Sequence, residues 1–207
     1  MTPRPAPHAA PDPGARPPLP AHGPLVVLCG PMGSGKTTVG RALARRWAVG
    51  LRDTDADVEE RVGADVAEIF RTRGEEAFRA LEHEAVAAAL TEHRGVLALG
   101  GGAVLREDTR RDLAAYAADG GVVVFLDVSL EHAAPRVGLD ASRPLLQGDP
   151  RRRWADLMAQ RRATYEAVAT LRVPTDGRTA GEVAGEIERR LLDAAGRVGL
   201  PGGPPRR

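Results

Sequence analysis

The sequence is poor in several residue types, and each shortage argues against a class of function. Its 207 residues include one cysteine, Cys29, so no internal disulfide can form and a cytoplasmic, reducing environment is expected. Aromatic residues make up 3%, too few for a platform on which nucleic-acid bases stack. No apolar run approaches the roughly 20 residues of a membrane span. Together with a formal net charge of +1, these shortages predict neither nucleic-acid nor membrane partners.

Lysine and asparagine are the most depleted types. Asparagine is absent, and of the 29 lysines and arginines only Lys36 is a lysine. Arginine can replace lysine wherever positive charge alone is needed, but a wide planar guanidinium cannot replace a compact ammonium inside a tight loop. The same two shortages exclude the N-K-x-D element with which GTP-dependent switches recognise guanine.

Lys36 belongs to the segment G-P-M-G-S-G-K-T at residues 30–37, which we call the phosphate loop. It follows the apolar run 25–29 and matches the G-x-x-x-x-G-K-[ST] pattern in its expected place between a buried strand and a helix. Its backbone N–H groups would surround a phosphate, Lys36 would reach the β- and γ-phosphates, and the Thr37 hydroxyl would bind Mg²⁺. The residues predicted to bind nucleotide are Gly33, Ser34, Gly35, Lys36, Thr37 and Thr38.

Proline is concentrated at the two ends of the chain. Residues 1–24 contain nine of the 17 prolines, and residues 197–207 contain three more. Neither segment has an apolar period, so we expect a disordered leader and a disordered tail. The remaining segment, 25–196, has the size of a single domain.

Short apolar runs alternate with helical patterns through this domain. We predict strands near 25–29, 49–53, 95–99, 122–126 and 171–173, and helices near 35–48, 56–93, 107–118, 129–136, 150–169 and 180–192. The long second helical stretch should break near Gly63 and Gly74. This alternation predicts an α/β domain whose five-stranded parallel sheet carries helices on both faces. The polar segment at about 137–150 is long enough to be a mobile lid.

Two carboxylates follow the second predicted strand, in the segment D-T-D at residues 53–55. One could hold the water shell of Mg²⁺, and the other could orient an attacking hydroxyl or accept its proton. Capping of the following helix would explain the same residues. The neighbouring phosphate loop favours the functional interpretation.

Three consecutive glycines, 100–102, follow the third predicted strand. Because glycines cost backbone entropy on folding, we expect a group such as the substrate or the γ-phosphate to approach this backbone closely. A flexible turn is the alternative.

Four arginines are candidate ligands for anions: Arg79, Arg136, Arg143 and Arg161. Arginine is the default base of this chain, so most arginines are expected on the solvated surface. Arg79 stands three residues before Glu82 on a predicted helix, where the carboxylate could hold its guanidinium. Arg143 lies in the predicted lid, where it could stabilise charge on a transferring phosphoryl group.

In combination, these motifs resemble those of the shikimate kinases, in order and over residues 25–192. The matching segments are the phosphate loop, D-T-D at 53–55, I-F at 69–70, G-E at 74–75, F-R-x-x-E at 78–82, G-G-G-A at 100–103, R-P-L-L at 143–146 and R-x-x-x-Y at 161–165. The resemblance implies a phosphate-loop kinase with a nucleoside-monophosphate-kinase-like fold, expected to be a monomer. It would use ATP and Mg²⁺ to phosphorylate the 3-hydroxyl of shikimate, on the route to chorismate and the aromatic amino acids.

The resemblance also assigns roles to individual residues. Lys36 and Thr37 would serve phosphate and metal, with Asp53 binding Mg²⁺ through water. Asp55 would hold the shikimate hydroxyls and is the candidate base. The remaining assignments are shikimate binding by Arg79, Gly101, Gly102 and Arg161, walls of the ring pocket by Phe70 and Phe78, γ-phosphate contact by Arg143, and positions beside adenine for Arg136 and Arg178.

Some features depart from the family or leave alternatives open. Arg52 stands where an apolar or aromatic residue is more usual, and Ala180 stands near a frequent proline. Asp127 ends the apolar run 122–126, and a generic interpretation of phosphate-loop proteins would make it the metal-binding carboxylate, whereas the resemblance points to Asp53. A gluconate kinase of the same fold and a nucleotide-binding module without catalysis are the remaining alternatives.

Overall fold

The structure is a computed structural model, and it describes residues 22–137 and 149–198. The predicted leader up to residue 21, most of the predicted lid including Arg143, and the tail from residue 199 lie outside the described residues. Gly23 and Pro24 are buried, although the sequence suggested that they belong to the leader. The Tyr116 hydroxyl donates a hydrogen bond to the Pro24 carbonyl at 2.9 Å, which fixes this end of the chain against the domain.

Strands and helices alternate along the described chain, with bounds close to those predicted. The strands are β1 (Val26–Cys29), β2 (Leu51–Asp53), β3 (Val96–Ala98), β4 (Val123–Asp127) and β5 (Leu171–Pro174). The helices are α1 (Lys36–Trp47), α2 (Thr54–Val62), α3 (Val66–Glu92), α4 (Glu107–Ala118), α5 (Leu130–Val137), α6 (Pro150–Val168) and α7 (Ala180–Val198), with a 3₁₀ turn at Ala103–Leu105. Helix α7 continues two residues into the predicted tail.

The five strands form one parallel sheet in the order β2-β3-β1-β4-β5, as the sequence predicted in strand number and direction. Strand β1 lies at the centre, with Val27 paired to Leu97 on one side and to Val123 on the other. The chain crosses from β1 to one side of the sheet and later to the other. The crevice beyond the carboxyl end of β1 is therefore the place where such sheets bind ligands.

Alternate residues of the strands pack into separate cores on the two faces of the sheet. Leu28 belongs to the cluster with Leu43 of α1 and Ile187 of α7. Val27 belongs to the opposite cluster, which includes Val86 of α3, Phe125 of β4, Leu113 of α4 and Tyr165 of α6. A third cluster between α2 and α3 includes Val58, Ile69 and Phe78. The helices thus cover both faces, which explains the continuous apolar strands.

Both predicted breaks in the second helical stretch are present. Gly63 caps α2 with φ 73°, and Gly74 interrupts α3 with φ 81° and ψ 168°, a conformation that glycine adopts without steric cost. The break at Gly74 separates the first turns of α3 from the part that begins at Glu75.

The unusual Arg52 lies on β2, at the edge of the sheet. Its guanidinium contacts Asp57 at 2.6 Å and Glu92 at 3.1 Å. An arginine is accommodated here because an edge strand leaves room for a partly exposed side chain with two carboxylate partners. Across residues 22–137 and 149–198, no helix has the length and apolar character needed to cross a membrane.

Candidate active site

A cavity of about 280 Å³ lies beside the phosphate loop, in the crevice beyond the carboxyl ends of the central strands. Its walls come from the phosphate loop, α2, α3, the glycine turn after β3, and α6. The lining residues are Pro31, Met32, Asp55, Glu59, Val66, Ala67, Phe70, Phe78, Arg79, Glu82, Gly101, Gly102, Trp154, Leu157, Met158, Arg161 and Tyr165. Every residue assigned to shikimate binding by the resemblance is among them.

The phosphate loop is shaped to receive an anion. Gly35 directly precedes α1 with φ 91°, so the loop turns sharply into the helix N-terminus. Lys36 Nζ donates hydrogen bonds to the carbonyl oxygens of Gly30 (2.8 Å) and Pro31 (3.1 Å). Ser34 is buried, and its hydroxyl has no hydrogen-bond partner within the part of the chain that the structure describes. An unpaired buried hydroxyl beside helix N–H groups fits a phosphate oxygen.

Thr37 and Asp53 meet at the end of the loop. The Thr37 hydroxyl donates a hydrogen bond to Asp53 Oδ2 at 2.8 Å, and Asp53 Oδ1 accepts one from the backbone N–H of Asp55 at 3.2 Å. Asp53 therefore caps α2 and also faces the phosphate loop, so the two interpretations of this carboxylate are compatible. The described residues contain no cluster of three or more His, Cys, Asp or Glu suited to a metal. A hydroxyl and one carboxylate suit Mg²⁺, which keeps several waters and takes few protein ligands.

Asp55 lies two residues after Asp53 and lines the cavity. Burial raises the pKa of its carboxyl, and the charge of the neighbouring Asp53 adds to the effect, while Lys36 and Arg79 oppose it. A carboxylate with a raised pKa is a better proton acceptor than an exposed one. It shares the cavity with Pro31 and Met32 of the phosphate loop and with Arg79.

Arg79 and Glu82 form a buried ion pair on α3. Arg79 Nη1 donates to Glu82 Oε2 at 2.6 Å, and Arg79 Nη2 contacts Glu75 Oε1 at 3.3 Å. The guanidinium also lies 5.2 Å from the ring centre of Phe78 and 5.6 Å from that of Phe70. These contacts fix a positive group at the cavity wall, in a geometry that can bind a planar carboxylate.

Glu82 is 1% exposed, and burial raises the pKa of its carboxyl to about 7. This value already includes the effects of the neighbours, because the ion pair with Arg79 lowers the pKa and the charge of Asp55 raises it. Two buried atoms of the pair, Arg79 Nε and Glu82 Oε1, have no hydrogen-bond partner among residues 22–137 and 149–198.

The triple glycine is approached closely, but by side chains of the protein itself. A methyl group at Gly102 would overlap the Arg79 guanidinium, and one at Gly100 would overlap the carboxylates of Asp55 and Glu82. Gly101 has ordinary space around it and lines the cavity. The expectation of close approach therefore holds at Gly100 and Gly102, with the ion pair and Asp55 in place of the substrate.

The glycine turn is held from two sides. The Gly100 N–H donates to the buried Thr54 hydroxyl at 2.8 Å, and the Tyr165 hydroxyl donates to the Gly101 carbonyl at 2.5 Å. Burial raises the pKa of Tyr165 to about 12, so this hydroxyl remains a donor. The sequence motif included Tyr165 but assigned it no role.

Helix α6 supplies one side of the cavity with a single stripe of residues. Arg161 and Tyr165 belong to this stripe and were predicted, whereas its other members were not. The stripe residues are spaced three and four apart, which places them on one helical face, and this spacing could have identified them from the sequence. The missed members are Trp154, Leu157 and Met158, and the cavity walls that were missed elsewhere include Met32 and Glu59.

The predicted adenine contacts lie apart from this cavity, near the end of β5. Arg136 Nη1 donates to the Gly33 carbonyl at 3.3 Å, and its Nη2 donates to the Thr175 carbonyl at 3.2 Å. Arg178 donates to the Pro174 carbonyl at 3.0 Å and pairs with Glu186 at 2.6 Å. Arg136 thus contacts the phosphate loop directly, whereas these contacts of Arg178 are to residues near the end of β5 and on α7.

The carboxylate of Asp127 is paired with two arginines. Arg162 Nη2 contacts Asp127 Oδ1 at 2.9 Å, and Arg172 Nη2 contacts Asp127 Oδ2 at 2.5 Å. Both oxygens are thus bound to guanidinium groups. This arrangement favours Asp53 over Asp127 as the carboxylate beside a metal.

Comparisons with known proteins agree with the geometry. The family model described as shikimate kinase matches residues 32–192. A shikimate kinase of Thermobifida fusca is 54% identical over 173 residues, covering 84% of this chain and 97% of that protein, and one of Streptomyces coelicolor is 56% identical over 160 residues, covering 77% and 91%. The solved structure of an Acinetobacter baumannii shikimate kinase in complex with shikimate superimposes with a TM-score of 0.78 at 35% identity, covering 83% of this chain and 94% of that one.

Proposed function

The chain belongs to the shikimate kinase family, and we propose that it transfers the γ-phosphate of ATP to the 3-hydroxyl of shikimate. It is an ATP-dependent small-molecule kinase of the aromatic amino-acid pathway. The observation that supports this function best is the cavity itself. It brings the phosphate loop, Asp55 and two arginines, Arg79 and Arg161, together around one space.

The two arginines suit the carboxylate of shikimate. A guanidinium binds a planar carboxylate with two parallel hydrogen bonds, and Arg79 is already oriented by Glu82 at 2.6 Å. Arg161 enters from α6 on another side of the cavity. We assign the carboxylate to this pair, which leaves the ring hydroxyls facing Asp55.

The apolar part of the cavity suits the ring of shikimate. Phe70 and Phe78 lie in contact, with ring centres 4.7 Å apart, and form a wall next to Arg79. The backbone of Gly101 and Gly102 forms another part of the wall, with no side chain to exclude a ring. A small carbocycle with one carboxylate and several hydroxyls matches this division into apolar wall, charged clamp and acidic end.

The chemical step needs little from the protein beyond position and charge. The acceptor oxygen attacks the γ-phosphorus, the bond from that phosphorus to the β–γ bridging oxygen breaks, and ADP leaves. Asp55 accepts the hydrogen bond of the attacking hydroxyl and takes its proton as the new P–O bond forms. Lys36 stabilises negative charge on the β- and γ-phosphates.

We assign Mg²⁺ to Thr37 and Asp53, whose oxygens already lie 2.8 Å apart beside the loop. When bound, the ion neutralises charge on the β- and γ-phosphate oxygens. Asp53 would hold it through water, which agrees with the small number of protein oxygens at this place.

The remaining assignments concern nucleotide recognition and the state of the protein. Arg136 and Arg178 are proposed beside adenine, and Arg143, outside the described residues, is proposed on the γ-phosphate. A monomer in the cytoplasm is proposed from the family resemblance and from the single buried cysteine.

The proposed function is tested by measuring ADP release with shikimate, quinate and gluconate in parallel, followed by phosphorus NMR of the product. We expect turnover with shikimate and a phosphate ester at the 3-hydroxyl. Lys36→Met is the negative control, because it removes the ammonium and keeps the chain length. Negligible turnover with shikimate, or a preference for gluconate, would overturn the assignment.

A further inference from the structure

Carbonyl oxygens of the phosphate loop need hydrogen-bond donors, and within the loop the Ser34 N–H donates to that of Pro31 at 3.2 Å. Side chains supply further donors. Donors reach four successive carbonyls from three different places. Those of Gly30 and Pro31 accept from Lys36, that of Met32 from the Trp154 indole at 3.0 Å, and that of Gly33 from Arg136 at 3.3 Å. Two of these donors belong to helices that follow β4, far along the chain from the loop.

Trp154 differs from the other donors because it also belongs to the acceptor site. Its side chain is 6% exposed, packs in the same core cluster as Met158 and Tyr165, and lines the cavity. Arg161 follows seven residues later, two turns along the same face of α6. The indole therefore lies between the nucleotide side and the acceptor side of the active site.

We propose that Trp154 is a positioning residue that couples the binding of ATP to the binding of the acceptor. Its N–H holds the Met32 carbonyl, and with it the turn of the phosphate loop, while its ring forms part of the acceptor cavity. When the acceptor carboxylate binds Arg161, it restricts the position of α6. Because Trp154 belongs to the same helix, its N–H is then held at the Met32 carbonyl of the phosphate loop. By linkage, a nucleotide that orders the loop favours the same position of α6 to an equal extent.

A purely structural role would also account for a buried tryptophan, since buried indole N–H groups usually find a partner. The two roles differ in what the N–H does. Packing depends on the ring, whereas coupling depends on the hydrogen bond to Met32, so removal of the N–H with the ring retained distinguishes them.

The experiment compares Trp154→Phe with Trp47→Phe. Trp47 is a matched control because its indole is also buried and also donates a hydrogen bond, to Glu188 Oε1 at 2.9 Å, but between α1 and α7. Calorimetry measures the dissociation constants of ADP and of shikimate, each alone and in the presence of the other. The ratio of the two constants for one ligand is the coupling factor.

We expect the wild type and Trp47→Phe to show the same coupling factor, with each ligand strengthening the other. Trp154→Phe should weaken ADP binding and lower the coupling factor about five-fold, the effect of one neutral hydrogen bond. The decrease should be equal whether ADP or shikimate is titrated. A wild type without coupling, a factor unchanged in Trp154→Phe, or a loss confined to shikimate affinity would overturn the proposal.

A second variant tests the same hydrogen bond in case the first one does not fold. If Trp154→Phe does not fold, benzothienylalanine can replace tryptophan biosynthetically in the Trp47→Phe background, where Trp154 is the single remaining tryptophan. This change replaces the indole N–H by sulfur and keeps the ring, and the same results are expected.

The inference depends on the proposed function, so turnover of shikimate by the wild type is measured first. Its absence would overturn the function, while the ADP affinities of the variants would still test the hydrogen bond.

Discussion

Asp53 and Asp127 each stand at the end of a parallel strand, yet their surroundings differ. Asp53 faces the Thr37 hydroxyl at 2.8 Å, whereas Asp127 is paired with Arg162 and Arg172. The sequence alone left both as candidates, because a strand end reveals position in the sheet but not the partners of a side chain. The partner of Asp53 comes from α1, and those of Asp127 come from α6 and β5, more than 30 residues further along the chain.

The two carboxylates should therefore respond differently to removal of their charge. We expect Asp53→Asn to lower kcat by at least about 100-fold, because phosphate charge is then poorly neutralised. Asp127→Asn should keep kcat near the wild-type value and lower the free energy of unfolding by about 1 kcal/mol, since both arginine partners are partly exposed. Steady-state kinetics and urea unfolding of both variants measure these effects. The reverse order of kcat losses would contradict the metal assignment.

Glu82 is the residue whose chemistry is least visible in the sequence, where it is one acidic residue on a helix. The structure buries it against Arg79 and Asp55 and raises its pKa to about 7 from 4.5. Between these values the folded protein retains a proton that the unfolded chain releases. The contribution of Glu82 to stability is therefore fully present below about pH 4.5 and is lost as the pH rises through 7.

Glu82→Gln should remove this pH dependence, because the amide does not titrate. We expect the free energy of unfolding of the wild type to fall between pH 5 and 8 relative to that of Glu82→Gln, by up to about 3 kcal/mol. Glu75→Gln is the matched control, since Glu75 contacts the same guanidinium from a half-exposed position. Urea unfolding at several pH values measures the three slopes. If the free energies of unfolding of the wild type and of Glu82→Gln changed in parallel with pH, Glu82 would not have the raised pKa that we assign to it.

At the scale of elements, most bounds followed from apolar periodicity and from glycine. The breaks at Gly63 and Gly74 and the bounds of α4 were predictable, because local backbone preference decides them. The cavity face of α6 was not identified, although its spacing is visible, because periodicity indicates a buried face without showing whether it meets a core or a cavity. The prediction for the glycine turn was incomplete. The sequence indicated that a group approaches this backbone closely, but it could not show that side chains of α2 and α3 do so.

Gly102 provides a direct test of that crowding. Its φ of −112° suits any residue, so the need for glycine is steric and comes from the Arg79 guanidinium. Gly102→Ala should displace Arg79 and raise the KM for shikimate by roughly ten-fold or more, with little change in the KM for ATP. Steady-state kinetics with each substrate varied in turn measures both constants.

Gly185→Ala is the control for this substitution. Gly185 lies in α7 with no atom within 4 Å of the added methyl group, so alanine should raise stability by about 0.5–1 kcal/mol without changing either KM. Equal KM effects in the two variants would contradict the steric explanation.

At the scale of the whole molecule, the alternation of strands and helices predicted the fold class, but it could not give the strand order. Pairing of β1 with both β3 and β4 depends on contacts between distant segments, which no local pattern encodes. This order nevertheless determines the candidate site, because it opens the crevice beside β1, where residues of α3 and α6 both line the cavity. Residues of the site that follow a strand were therefore easier to predict than those supplied by helices.

The site should also contribute to the stability of the whole domain when it is filled. ADP with Mg²⁺ at about 100 times its dissociation constant should add about 2.7 kcal/mol, or about 5–10 °C in Tm. EDTA should remove the metal-dependent part of this increase in the wild type but change little in Asp53→Asn, which lacks the charge that holds the ion. Differential scanning calorimetry measures the four Tm values. An EDTA effect of equal size in both proteins would contradict the assignment of Mg²⁺ to Asp53.

The placement of the only lysine has a consequence for covalent chemistry. Lys36 Nζ lies in the phosphate loop, 2.8 Å from the Gly30 carbonyl, and every other basic side chain apart from histidine is a guanidinium. Acylating reagents attack amines and spare guanidinium groups at neutral pH, so among side chains they have a single target amine in this protein. Apart from the α-amino group, a mass increment from such a reagent therefore counts the molecules in which the Lys36 amine was accessible, and bound nucleotide should lower that count in proportion to its occupancy.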